Sequence, residues 1–68
     1  MPELPHISGN EAINLFERMG FKVVRQRGSH VVLRKDDRGC VIPLHKELAV
    51  GTLRSAIKQA GITDADFI

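Results

Sequence analysis

The chain is predicted to be an α+β protein of order α-β-β-β-α, a three-stranded antiparallel sheet with two helices packed on one face and a short helical turn at the C-terminus. Three observations predict this. Ser8-Gly9-Asn10-Glu11 has the form of a capping box ahead of a segment with helical periodicity. At Phe21 the apolar period changes from 3.6 to two. From Ala49 or Val50 the helical period returns and runs to Gly61.

In the first helix the Ser8 hydroxyl and the Glu11 carboxylate each satisfy an orphan amide, so the helix begins at about Gly9. Ala12, Ile13, Leu15, Phe16 and Met19 recur on one face, leaving Glu11, Asn14, Glu17 and Arg18 for solvent. The polar face is mixed in sign, which favours core packing over a membrane-surface helix. Gly20 is the expected left-handed cap.

Phe21 to Gln26 reads as the first strand, Arg27-Gly28 as a tight connection, and Ser29 to Lys35 as the second strand. Asp36-Asp37-Arg38-Gly39 is the expected hairpin turn into a third strand. There Cys40, Ile42 and Leu44 share one face and Val41, Pro43 and His45 the other. Pro43 donates no amide hydrogen and so belongs on an edge or at a strand end.

If the helices cover the face of Val31, Leu33, Ile42 and Leu44, strand parity leaves His30, Arg34 and His45 on the open face. A bulge near Gly28 would overturn this placement. In the second long helix Leu53, Ala56, Ile57 and Ala60 face inward, with Arg54 and Lys58 one turn apart on the polar side. Those two either touch a phosphate backbone or keep the helix soluble, and solubility is preferred. Thr63-Asp64-Ala65-Asp66 forms the capped final turn, with Phe67 and Ile68 expected to dock on the core.

At 68 residues the chain reads as one domain, residues 1–68, with a small core and no room for a deep cofactor pocket. It lacks the apolar run of a membrane span, and its first residues lack the pattern of a secretory signal, so a soluble, cytoplasmic protein without membrane association is expected. Cys40 has no second cysteine to pair with and reads as core packing.

The net charge of +2 is unevenly spread. Lys22 to Arg38 carries six basic and two acidic residues, a net of +4, which leaves the remainder at −2. Basic charge gathered in one part of a small domain fits a polyanion binder, and equally a solvated hairpin.

Within that segment Gly28-Ser29-His30 lies between Arg25, Arg27 and Arg34. Histidine exchanges protons near neutrality and arginine offers forked donors to phosphate, a pairing suited to chemistry on RNA or to RNA binding alone. His45 is either a second acid/base group or an exposed strand-end residue. His6 sits in a proline-flanked tail and carries no argument. The three histidines lack local ligand spacing, so neither a metal site nor a cofactor is expected. Ser29 is adjacent to His30 on an extended chain and points away from it, which favours turn formation or hydrogen bonding over nucleophilic chemistry.

The α-β-β-β-α order is that of the double-stranded RNA-binding domain, and the chain resembles the HicA-type toxins. The resemblance rests on the opening helix leading into Met19-Gly20-Phe21, on Arg25-Gln26-Arg27-Gly28-Ser29-His30, on Val41-Ile42-Pro43-Leu44-His45, and on the segment from Gly51 to Gly61. It covers nearly the whole chain. The loop after His45 is shorter than in many family members, and Val50 stands where they often carry proline.

The resemblance implies a ribosome-independent mRNA endoribonuclease, the toxin of a bacterial type II toxin–antitoxin pair, inhibited by a HicB-type antitoxin. It maps the catalytic histidine to His30. Arg25, Arg27, Gly28, Ser29, Arg34 and Lys35 are the expected RNA-binding residues. The alternative is a non-catalytic RNA-binding module that uses the same basic sheet face.

Overall fold

The computed structural model describes Leu4 and residues 6–67. Its elements run α1 (Gly9–Arg18), β1 (Lys22–Arg27), β2 (His30–Lys35), β3 (Arg38–Pro43), α2 (Val50–Ala60) and α3 (Asp64–Phe67). The strands form one antiparallel sheet in the order β1-β2-β3. The architecture is therefore the predicted one.

The capping box forms as read. The Glu11 amide donates to Ser8 Oγ and the Ser8 amide to Glu11 Oε1, each at 3.1 Å. Ala12, Ile13 and Phe16 are buried, with Leu15 and Met19 packed partly against the core. Gly9 cannot carry a side chain, because a Cβ there would collide with the carbonyl oxygen of Pro43. That close approach, together with the Gly9 amide donating to the His45 carbonyl at 2.9 Å, pins the start of α1 to the end of β3.

The core lies between the helices and one sheet face. Val31, Leu33, Cys40 and Ile42 come from the sheet and meet Phe16, Leu53, Ala56, Ile57 and Ala60 of the helices. Phe67 docks from α3, its ring centroid 5.1 Å from that of Phe16. Ile68 lies outside the described residues, as do Met1 to Glu3. Leu4 joins the core and is 5% exposed.

The strand ends differ from the expected ones in ways the pairing explains. Arg27 pairs with His30, so the turn is Gly28-Ser29 and β2 starts at His30. Gly28 has φ +56 and Ser29 has no positive φ, the pattern of a type II′ turn, whose twist suits a two-residue hairpin. Lys35 pairs with Arg38, which makes Asp36-Asp37 the second turn and moves Arg38 and Gly39 into β3. Asp36 takes the left-handed conformation at φ 55, which aspartate tolerates.

β3 ends at Pro43, so Leu44 and His45 lie beyond it. Pro43 lies on the same face as Val41, as its parity predicts, but it is buried at the strand end, where the start of α1 closes on its carbonyl. The sheet's irregularity is at Val24, not near Gly28: β1 and β2 shift register between Val23 and Arg25.

α2 starts after Ala49, which has extended N-cap geometry but offers no side-chain cap, and ends at Gly61 with φ 72. α3 has its own reciprocal cap between Thr63 and Asp66. Hydrogen bonds from Thr63, first through the backbone, hold the Asp66 carboxyl below its ordinary range. No described helix is long and apolar enough to cross a membrane.

Candidate nucleic-acid interface

Cross-strand partners in an antiparallel sheet project to the same face, so the register sorts the charged residues directly. Three rows alternate with the core. Arg27, His30 and Pro43 form one; Arg25, Val32 and Val41 the next; Lys22, Arg34 and Gly39 the third. Lys22, Arg25, Arg27, His30 and Arg34 are all exposed. The open sheet face thus carries four cationic side chains and one imidazole.

The bulge is what assembles this surface. Val23 pairs with buried Leu33 on the helix-facing side, and strict alternation from Val23 would send Arg25 and Arg27 to that side as well. The extra residue, Val24, resets the parity, so both arginines and Lys22 emerge beside His30 and Arg34. Bulges commonly re-aim side chains in this way. Lys22 shares this face although it was not among the expected RNA-binding residues. The signal for it was the Val23-Val24 pair, two apolar neighbours that break a period of two.

His30 is the first residue of β2 and stands between Arg27 and Pro43. Gly28 and Ser29 form the turn that places it: the Gly28 carbonyl accepts from Gln26 Nε2 at 3.1 Å, and the Ser29 carbonyl accepts from the Leu44 amide. Ser29 therefore has a turn-forming part.

His45 is exposed past the end of β3, and its backbone is held by Gly9. The ladder does not extend to it, so it is not brought into the row of His30. His6 Nδ1 lies 3.4 Å from Glu47 Oε1 at the surface.

Lys35 belongs to a different arrangement. It lies on the helix-facing side, and its Nζ donates to the Met19 carbonyl at the end of α1 at 2.8 Å. Its cross-strand partner Arg38 lies against Gly61, with Nε 3.5 Å from where a Cβ would stand. Each of these cations complements the negative end of a helix dipole. Of the six basic residues from Lys22 to Arg38, four face solvent on the open sheet and two serve the helix termini.

Arg54 faces Asp64, with Nε 3.5 Å from Oδ2. Cys40 is buried, and desolvation pushes its thiol up to about 11, which fits a packing residue. Among the described residues no group of three or more His, Cys, Asp or Glu side chains could hold a metal ion.

The fold and surface define a small α+β domain that turns a cationic sheet face with an accessible imidazole toward solvent. A family model described as HicA toxin of bacterial toxin-antitoxin matches residues 9–62, which span every element from α1 to the residue after the Gly61 cap. The chain belongs to the HicA toxin family. No curated protein and no solved structure matches it.

Proposed function

We propose that this chain is a ribosome-independent mRNA endoribonuclease, the toxin of a type II pair, which cleaves RNA by acid/base catalysis at His30 and is inhibited in the cytoplasm by a HicB-type antitoxin that covers the same face. The observation that carries this reading is the pairing of Arg27 with His30 on the open sheet face, flanked by Arg25, Arg34 and Lys22. Membership of the HicA toxin family supports RNA as the substrate class.

RNA carries its own nucleophile. The His30 imidazole takes the proton of a ribose 2′-hydroxyl, whose oxygen attacks the adjacent phosphorus, and the P–O5′ bond breaks as that oxygen gains a proton from water, the imidazolium then returning its proton to solvent. The products are a 2′,3′-cyclic phosphate and a free 5′-hydroxyl. The cross-strand pairing of Arg27 with His30 supports Arg27 as the group that stabilises the extra negative charge on the phosphoryl oxygens during attack, with Arg25 holding a neighbouring phosphate. No step requires a metal.

The test is incubation of purified protein with single-stranded and duplex RNA in the presence of a chelator, alongside His30→Ala. The native chain should cleave and leave cyclic phosphate ends. The variant should lose about 10²–10⁴-fold in rate while retaining RNA affinity. Cleavage abolished by the chelator, or undiminished in the variant, rejects the mechanism; RNA binding without any cleavage by the native chain establishes the binding module instead.

A further inference from the structure

At the end of the open face remote from His30 there is a hollow of about 440 Å³, lined by Val32, Arg34, Gly39, Cys40, Val41 and Gln59. Its size is that of a small-ligand site. Three features determine what it can hold. Val32 and Val41 are cross-strand partners, half-buried and 40% exposed respectively, and present an apolar surface.

Gly39 is the cross-strand partner of Arg34 and leaves the floor beside it open, with Arg34 Cγ 3.5 Å from where a Cβ would stand, an ordinary contact distance. From α2, Gln59 reaches over the sheet edge and its Oε1 accepts the Val41 amide at 3.3 Å. The backbone N–H is only a donor, so this bond settles the orientation of the amide. Nε2 is left to display its hydrogens.

The rim of the hollow therefore presents donors: the Gln59 amide nitrogen and the Arg34 guanidinium. Its complement is a flat group with adjacent acceptors on one edge. Aromatic stacking is the usual means of holding an unpaired base. Here it is not available, because the chain has three Phe and no Trp or Tyr, and Phe16, Phe21 and Phe67 are all buried. Recognition on this face must come from hydrogen bonding over an aliphatic surface.

We infer that this hollow is a base-recognition subsite that receives a guanine, with Arg34 and Gln59 donating to O6 and N7 and the base plane resting on Val32 and Val41. Guanine is the base that presents two adjacent acceptors on its major-groove edge, and arginine is the side chain that most often reads them. Arg34 lies four residues along β2 from His30, about 13 Å at the usual strand rise. The subsite thus reads a base a few nucleotides from the scissile bond. Arg34 and Gln59 are specificity determinants in this scheme, which rests on the RNA-directed reading above.

The experiment measures binding of three short single-stranded RNA oligomers to His30→Ala protein: all adenosine, adenosine with one central guanosine, and adenosine with one central uridine. The guanosine oligomer should bind about fivefold or more tighter than the other two. Arg34→Lys, which keeps the charge and loses the fork, and Gln59→Glu, which keeps an acceptor for Val41 and replaces the displayed donor, should each bring that ratio close to one.

Equal binding of the three oligomers, a preference for uridine, or a guanosine preference unchanged in both variants overturns the inference. If native protein cleaves RNA while the preference is missing, the subsite falls and the nuclease stands. If the preference is present but native protein does not cleave, the nuclease falls and the subsite stands. Absence of any RNA binding rejects both.

Discussion

Cys40 shows how burial governs a single group. Its side chain is 3% exposed, and the thiolate is disfavoured in the folded chain, with the pKa raised from 9.0 to about 11. A raised pKa means that the folded state holds its proton more tightly than the unfolded state. The associated stability is present below pH 9 and is lost as pH rises through about 11, a change on the order of 2–3 kcal/mol. Denaturant midpoints at pH 8 and pH 10.5 should fall more for the native chain than for Cys40→Ala. A thiol reagent at pH 8 should label the folded protein far more slowly than the denatured one, and equal rates would contradict the buried placement.

At the scale of elements, the two long helices are held by different means. α1 has a full capping box, whereas the N-cap of α2 is Ala49, which already has the extended φ of −61 and ψ of 141 that a capping residue needs. Supplying an oxygen there costs no backbone change. Ala49→Ser should stabilise the protein by about 1 kcal/mol, and Ser8→Ala should destabilise it by a similar amount. For a domain of this size each change corresponds to a shift in Tm of several degrees, readable by thermal circular dichroism. The helices, the capping box of α1, the Gly61 cap and the Gly28 turn were legible in sequence because each is written in residues a few positions apart. The exact strand ends were not, since Arg27 pairing with His30 and Lys35 with Arg38 depends on which turn closes best.

Across the whole molecule the basic segment divides its labour, and the division can be measured. Arg25 and Arg27 face solvent on the sheet, whereas Lys35 and Arg38 lie at the helix ends. On the RNA-binding reading, replacing both Arg25 and Arg27 by Gln should reduce the slope of log affinity against log salt by about 1.4, for two lost phosphate contacts on a single strand. Replacing Lys35 and Arg38 by Gln should leave that slope unchanged and lower stability by about 0.3–1 kcal/mol at each helix terminus. Salt titrations of RNA binding and denaturant melts on the two double variants separate the roles. A reduced salt slope in the Lys35/Arg38 variant would show that those cations reach the nucleic acid after all.

The sequence by itself determined the order of elements, the apolar face of each helix and the exposed position of His30. Capping boxes and apolar periods are local, and parity along one strand needs no knowledge of its neighbours. Only the tertiary structure decided where Arg25 and Arg27 face, because one unpaired residue at Val24 reverses the parity of everything after it in β1. It likewise set Lys35 against the Met19 carbonyl at the end of α1, buried Pro43 at the end of β3 and drew Gln59 over the edge of that strand. Each of these depends on contacts between residues distant in the chain. Where a helix end or sheet edge has no capping residue nearby in sequence, its protein partner is a group that folding brings to it.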